Sequence, residues 1–177
     1  MTPTEASATA TFDDIVLPHL EAGYRLARWL VGNEHDAEDA VQEASLRAFQ
    51  YFRTFSGRNG RGWFLRIVRN VCWGWHGSKA QTPTDLFDEE RHSAAGRTPD
   101  PETLLLRADD ASLIEGAITD LPDRARALLV LRELEGLSYQ ELADALEIPI
   151  GTVMSGLSRA RQAFRKALED QLKRHRL

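Results

Sequence analysis

Residues 137–168, LSYQELADALEIPIGTVMSGLSRARQAFRKAL, constrain the fold more tightly than any other stretch of the chain. Apolar positions recur at helical spacing through Leu142, Ala143 and Leu146 and break at Ile148-Pro149-Ile150-Gly151. They resume in a segment with four basic side chains and no acid before Glu169. Ser138, with Glu141 three residues on, has the form of a capping box that opens a short helix. In the second segment, at about 100° per residue, Val153, Leu157, Ala160, Phe164 and Leu168 share one stripe. Ser155, Ser158, Arg159, Gln162 and Lys166 fall on the opposite side. Their hydroxyl, guanidinium and amide donors suit phosphates and base edges in a major groove. A short helix, a tight turn and a basic second helix describe a helix-turn-helix. They also describe an amphipathic hairpin with a solvated basic face.

The formal net charge of −5 is at odds with nucleic-acid binding only until the charges are located. From Ala44 to Lys79 there are six arginines, one lysine and no acid. From Ile150 to Leu177 there are seven Lys/Arg against Glu169 and Asp170, whereas residues 80–107 hold six acids and three arginines. Two basic patches therefore flank an acidic stretch. Attraction to DNA depends on the field within a Debye length of about 8–10 Å, not on the total.

The periodicity predicts only helices. Residues 1–11 are small and polar and are expected to be disordered. Phe12 to Phe55 reads as helical, with Ile15, Leu20, Tyr24, Ala27, Leu30 and Val31 on one face and a break at Gly32-Asn33. Asp36-Ala37-Glu38-Asp39 is acid-rich, as a first helical turn prefers, and Ala40, Val41, Ala44, Ala48 and Phe49 carry the apolar side. Ser56 to Gly60 is a loop by composition. Trp63, Ile67, Val71 and Trp75 recur at one-turn spacing and predict a helix with both tryptophans in the core. Residues 77–101 lack periodicity and read as a linker, closed by Pro99 and Pro101. Helices are then expected near 102–119, 123–135, 138–146 and 150–173. The expected architecture is all-α: two small helical domains joined by a flexible acidic linker.

Around the loop, Arg58, Asn59, Arg61, Arg66, Arg69 and Asn70 interleave with Phe55, Trp63, Phe64, Trp73 and Trp75. Aromatic rings beside arginines suit single-stranded nucleic acid, because unpaired bases stack while phosphates are neutralised. The alternative is that the rings are core and the arginines a solvated face. The acid-rich turn at 36–43 has its own plain explanation in the helix dipole.

Enzymatic chemistry finds no support. The five histidines are scattered, and no HExxH, phosphate-cradling glycine loop or metal-ligand spacing occurs, so no catalytic residue, metal or cofactor is expected. Cys72 and His76 stand at helical spacing, as half a metal site or a nucleophile and base would, but a buried cysteine fits as well. The single cysteine excludes an internal disulfide, and no run of about 18 apolar residues predicts membrane insertion. The N-terminus lacks a secretory signal, so a cytoplasmic location is expected.

Three blocks taken together resemble an extracytoplasmic-function (ECF) sigma factor, the promoter-specificity subunit of bacterial RNA polymerase in the sigma-70 family. They are DAEDAVQEA at 36–44, FSGRNGRGWFLRIVRNVCWGW at 55–75 and LPDRARALLVLRELEGLSYQELADALEIPIGTVMSGLSRAR at 121–161. The resemblance implies sigma region 2 over 12–79, a linker over 80–100 and sigma region 4 with its helix-turn-helix over 101–177. It implies that Asp36, Asp39, Gln42 and Glu43 face core RNA polymerase. It implies that Phe55, Arg58, Asn59, Arg61, Arg66 and Asn70 meet the separated strand of the minus-ten element. Thr152, Met154, Ser155, Ser158, Arg159 and Gln162 would read the duplex at minus-thirty-five, and an anti-sigma factor is an implied partner. The family commonly carries arginine where this chain has Gly156, and often a base at Met154. Gly156 therefore either permits close helix packing or removes a phosphate contact. A stand-alone helix-turn-helix regulator is the competing expectation, although such a protein needs neither the acidic helix nor the aromatic-basic block.

Overall fold

The computed structural model describes residues 10–75 and 107–175, and among them the chain forms helices and no strand. The expected linker at 80–100, and all but the end of the expected disordered terminus, lie outside the described residues. The first lobe comprises α1 (Phe12–Val16), α2 (Leu20–Val31), α3 (Glu34–Tyr51) and α4 (Gly60–Trp75). The second comprises α5 (Arg107–Thr119), α6 (Asp123–Leu129), α7 (Tyr139–Leu146) and α8 (Ile150–His175).

Small residues set the closeness of the first lobe. Ala37, Ala40, Ala44 and Ala48 are fully buried along one side of α3, so this helix approaches its neighbours without large side chains between them. On α2, a Cβ added to Gly23 would stand 2.8 Å from the ring of Phe64 on α4. Gly32, at φ +86°, ends α2, and Asn33 opens α3 by accepting the amide of Asp36 at 2.8 Å. In the second lobe Leu128, Leu131, Leu137, Leu142, Val153, Leu157 and Ala160 form the core. The Ser138 capping box forms as the spacing predicts, with Glu141 accepting the Ser138 amide at 2.7 Å.

The structure departs from the periodicity in three places. Pro18 sits in a 3-10 turn over Leu17–His19, so α1 and α2 are separate helices. Helix α4 begins at Gly60 rather than Trp63, because Asn59, at φ +48°, accepts the Gly62 amide on its side chain and the Trp63 amide on its carbonyl. Its buried side is Phe64, Leu65, Val68, Val71 and Cys72, whereas Trp63 is half-buried and Trp75 lies at the surface. Apolar residues occur all around this helix, so two stripes fit its sequence and tertiary packing selects one. Beyond α6 the chain widens into π-helical turns over Val130–Leu134, which keep Val130 and Leu131 in the core before Gly136 turns away at φ +67°.

The two lobes pack against each other, α2 on α6 and α4 on α7. Arg126 of α6 ties them. Its buried guanidinium donates to the carbonyls of Ile118, Thr119 and Leu121 at the end of α5, and to that of Trp29 on α2 at 3.3 Å.

Replacing Ser138 with alanine removes one half of the box that starts α7. Stability is expected to fall by about 1 kcal/mol, read as a lower urea midpoint at unchanged slope, and Ser138→Asp is expected to keep most of it.

Candidate functional site

Three surfaces carry the residues singled out from the sequence. On α3, Asp36 is half-buried and holds the Asn33 side chain, with Asn33 Nδ2 donating to its carboxylate at 2.6 Å. Glu43 pairs with Arg47 and accepts from Trp75 Nε1 at 3.0 Å. These two acids serve the fold locally. Asp39 and Gln42 are exposed. Gln42 lines an open groove between α2 and α3, floored by Leu20, Tyr24 and Val41 and rimmed by Glu21 and Glu38. An apolar floor with an anionic rim suits a basic, amphipathic partner.

The second surface surrounds the loop between α3 and α4. Phe55 is half-buried in a ring cluster, 5.0 Å from Trp63, and Arg58 is exposed at the loop tip. Of the remaining predicted residues, Asn59, Arg61 and Arg66 meet the second lobe, and Asn70 meets its neighbour Arg69. Asn59 donates to Asp144 at 3.1 Å, and Arg61 holds the carbonyl and carboxylate of Glu135. Arg66 stands 3.8 Å from Glu147, and Asn70 accepts from Arg69 at 3.1 Å.

Sequence reasoning missed Glu135 and Arg25, which complete this contact. Glu135 has no solvent-exposed side-chain surface, and Arg25 of α2 grips it at 2.6 and 2.9 Å while Arg61 closes the other side. Arg69 is also buried. It donates to the Ala145 carbonyl at 2.6 Å and to Glu147 at 2.7 Å, and lies 4.7 Å over the Trp73 ring. Burial lowers its pKa from the ordinary value, and Glu147 opposes that shift. No local pattern reveals Glu135, because its partners are 110 and 74 residues away.

The third surface is the start of α8. Ser155, Ser158, Arg159 and Gln162 are exposed, Met154 is 57% exposed, and Thr152 is half-buried. Arg159 lies along Ser155, with Nη2 3.3 Å from its hydroxyl. Gly156 faces inward, where a Cβ would stand 2.9 Å from Leu128 Cδ1. Of the two explanations for this glycine, close helix packing is the one the geometry supports. Cys72 lies in the core, with burial pushing its thiol up to about 12, so it is no thiolate nucleophile. Among the described residues no His, Cys, Asp and Glu side chains gather as a metal site would require.

The chain matches the family described as Sigma-70 region 2 over residues 15–77 and the one described as Sigma-70, region 4 over residues 112–164. It is 32% identical over 164 residues to the ECF RNA polymerase sigma factor SigE of Mycolicibacterium smegmatis, covering 93% of this chain and 64% of that protein. To the ECF RNA polymerase sigma factor SigW of Bacillus subtilis it is 32% identical over 169 residues, covering 90% of this chain and 89% of that one. Among solved structures it is similar to the sigma factor RpoE in complex with the anti-sigma factor NepR from Bartonella quintana. The TM-score is 0.65 at 26% identity, over 89% of this chain and 96% of that one. CnrH in complex with the cytosolic domain of CnrY shares the fold, with a TM-score of 0.64 at 21% identity, over 90% of this chain and 88% of that one.

Two outcomes follow from this geometry. Replacing Arg25 and Arg61 together with methionine strips both counter-charges from an enclosed carboxylate, a change worth about 3–5 kcal/mol. The lobes are expected to part, increasing the radius of gyration in small-angle scattering, and adding Glu135→Leu is expected to restore the compact form. The Cys72 thiol has a folded pKa above its unfolded value of about 8.5. Its contribution is therefore complete below about pH 8.5 and is lost as pH rises towards 12, by at most about 1.4 kcal/mol per pH unit. Urea titrations at pH 8 and 10 should show that loss in the natural chain and not in Cys72→Ala.

Proposed function

The chain belongs to the sigma-70 family, in the extracytoplasmic-function group of alternative sigma factors, and from that premise we propose that it binds core RNA polymerase and directs promoter recognition, DNA melting and transcription initiation. Nucleotide addition stays with the polymerase, and this chain contributes no catalytic residue. Residues 12–79 act as region 2, 80–100 as the linker and 101–177 as region 4, with 1–11 as a terminal extension.

The exposed Asp39 and Gln42, beside the groove rimmed by Glu21 and Glu38, face the polymerase, while Asp36 and Glu43 hold α3 in shape behind them. Phe55, Arg58, Asn59, Arg61, Arg66 and Asn70 take the separated minus-ten strand, rings stacking on bases and cations meeting phosphates. Thr152, Met154, Ser155, Ser158, Arg159 and Gln162 read the upstream duplex from the open side of α8.

One observation supports this division above all. The open side of α8 is ready for a duplex, whereas Asn59, Arg61 and Arg66 already hold the carboxylates of Asp144, Glu135 and Glu147. Those carboxylates occupy the positions that strand phosphates need, so strand capture follows separation of the lobes on the polymerase. Polymerase then supplies the affinity that a chain of net charge −5 lacks. An anti-sigma factor is a further partner, as it is for RpoE in the Bartonella quintana complex. The site of action is the cytoplasm, and no described helix is long and apolar enough to cross a membrane.

The test is a titration of labelled chain with core polymerase, paired with transcription from a genomic promoter library. Asp39→Lys combined with Gln42→Ala, both at exposed positions, is expected to weaken core binding at least tenfold, ~1.4 kcal/mol, and to abolish the transcripts. Duplex binding by the chain alone, with core polymerase ignored, would leave a stand-alone regulator instead.

A further inference from the structure

The loop between α3 and α4 turns through two left-handed residues. Gly57 is left-handed at φ +77° with open space around it, and Asn59 is left-handed at φ +48°. Both ends of the loop rest on the same short element, α1. At the entry, the Phe12 ring stands edge-on to Phe49 at 5.3 Å and to Phe52 at 5.6 Å. Phe52 in turn stacks on Phe55 at 6.2 Å, and Phe55 meets Trp63 at 5.0 Å. An unbroken chain of rings thus runs from α1 through Phe52 and Phe55 of the loop to Trp63 on α4. At the exit, Ile15 lies so close to Gly60 that an added Cβ would stand 2.8 Å from Ile15 Cγ2 and 3.4 Å from its carbonyl oxygen. Helix α1 is itself fixed at both ends, by the Thr11–Asp14 capping box and by Val16, which is buried.

The loop is seated at two points eight residues apart, Phe52 and Gly60, and the seat comes from a segment that contributes none of the residues assigned to DNA. We propose that α1 is a brace for strand capture, with Phe12 and Ile15 as positioning residues that set the spacing and orientation of Phe55, Arg58 and Asn59. The proposal rests on the reading of residues 55–61 as the minus-ten surface. A splayed base finds its stacking partner only when the loop is already in the bound shape, and a loop ordered in advance binds with a smaller entropic loss. Neither Phe12 nor Ile15 lines the α2–α3 groove or belongs to α8, so bracing acts on the melted strand rather than on polymerase docking or upstream reading.

The experiment uses holoenzyme reconstituted from core polymerase and the full chain. The probe is a promoter selected by the wild-type holoenzyme from fragmented genomic DNA and then prepared with the minus-ten region premelted. Its non-template strand is either natural or scrambled, and the ratio of the two affinities measures strand selectivity. Phe12→Ala is expected to lower that ratio about tenfold, with core binding within about twofold of wild type. Ile15→Ala is expected to lower the ratio in the same way. Phe12→Tyr, which keeps the ring, is expected to restore selectivity. Phe12→Leu fills the space without an aromatic edge, so it reports on the ring contacts even where Phe12→Ala does not fold. Full selectivity in Phe12→Leu and Ile15→Ala, or an equal loss of core binding and selectivity in these variants, would overturn the brace. Absence of selectivity in the wild-type holoenzyme would instead overturn the assignment of the loop to the minus-ten strand, and the brace with it.

Discussion

The packing of the lobes depends on a carboxylate with nowhere to go. Glu135 is cut off from water between the π-helical end of α6 and the first lobe, and an ion in that position is strongly unfavourable without counter-charges. Arg25 and Arg61 supply them, from two different helices of the other lobe. Other arginines at the same boundary solve a related problem. Arg126 satisfies carbonyls at the end of α5, and Arg69 satisfies that of Ala145 in the last turn of α7. The last carbonyls of a helix lack intrahelical partners and carry the negative end of its dipole, so a cation is well placed there. The lobe boundary is therefore built largely from guanidinium groups that meet carboxylates and helix ends.

This construction reconciles the charge of the chain with its task. The basic side of the first lobe is not left open to any passing polyanion, because Glu135, Asp144 and Glu147 lie against it. The two ends of the molecule thus differ in readiness. The hydroxyls and arginine of α8 face outward, while the residues around the α3–α4 loop are held by internal acids. A separated DNA strand offers the same kind of group, an anionic oxygen, to the same donors, so exchange needs no new chemistry at the site.

What the sequence made legible was whatever depends on near neighbours. The Ser138–Glu141 box, the stripe of Val153, Leu157 and Ala160, and a break around Ile148-Pro149 are fixed by residues within a few positions of one another, and all appear in the structure. Helix α4 was harder, since rings and aliphatics surround it. The Trp63–Trp75 stripe is as regular as the buried one, and only the proximity of Phe64 to Gly23 shows which is chosen. The acidic helix carries local contacts that its charge pattern does not reveal. Asp36 and Glu43 share its charge pattern with Asp39, but Asn33 and Trp75 take them up locally. The pairing of Glu135 with Arg25 was out of reach altogether, because nothing in RELEGLS indicates a partner more than a hundred positions away.

The burial of Cys72 has a practical side. The chain contains a single cysteine, and its thiol is packed among core residues with ionisation suppressed. A cysteine introduced at an exposed position of either lobe would therefore be the only accessible thiol at neutral pH. The natural protein is in this sense already a blank background for thiol chemistry. Dyes or spin labels could be attached to both lobes without first removing a native side chain, and the distance between them followed as polymerase and promoter arrive.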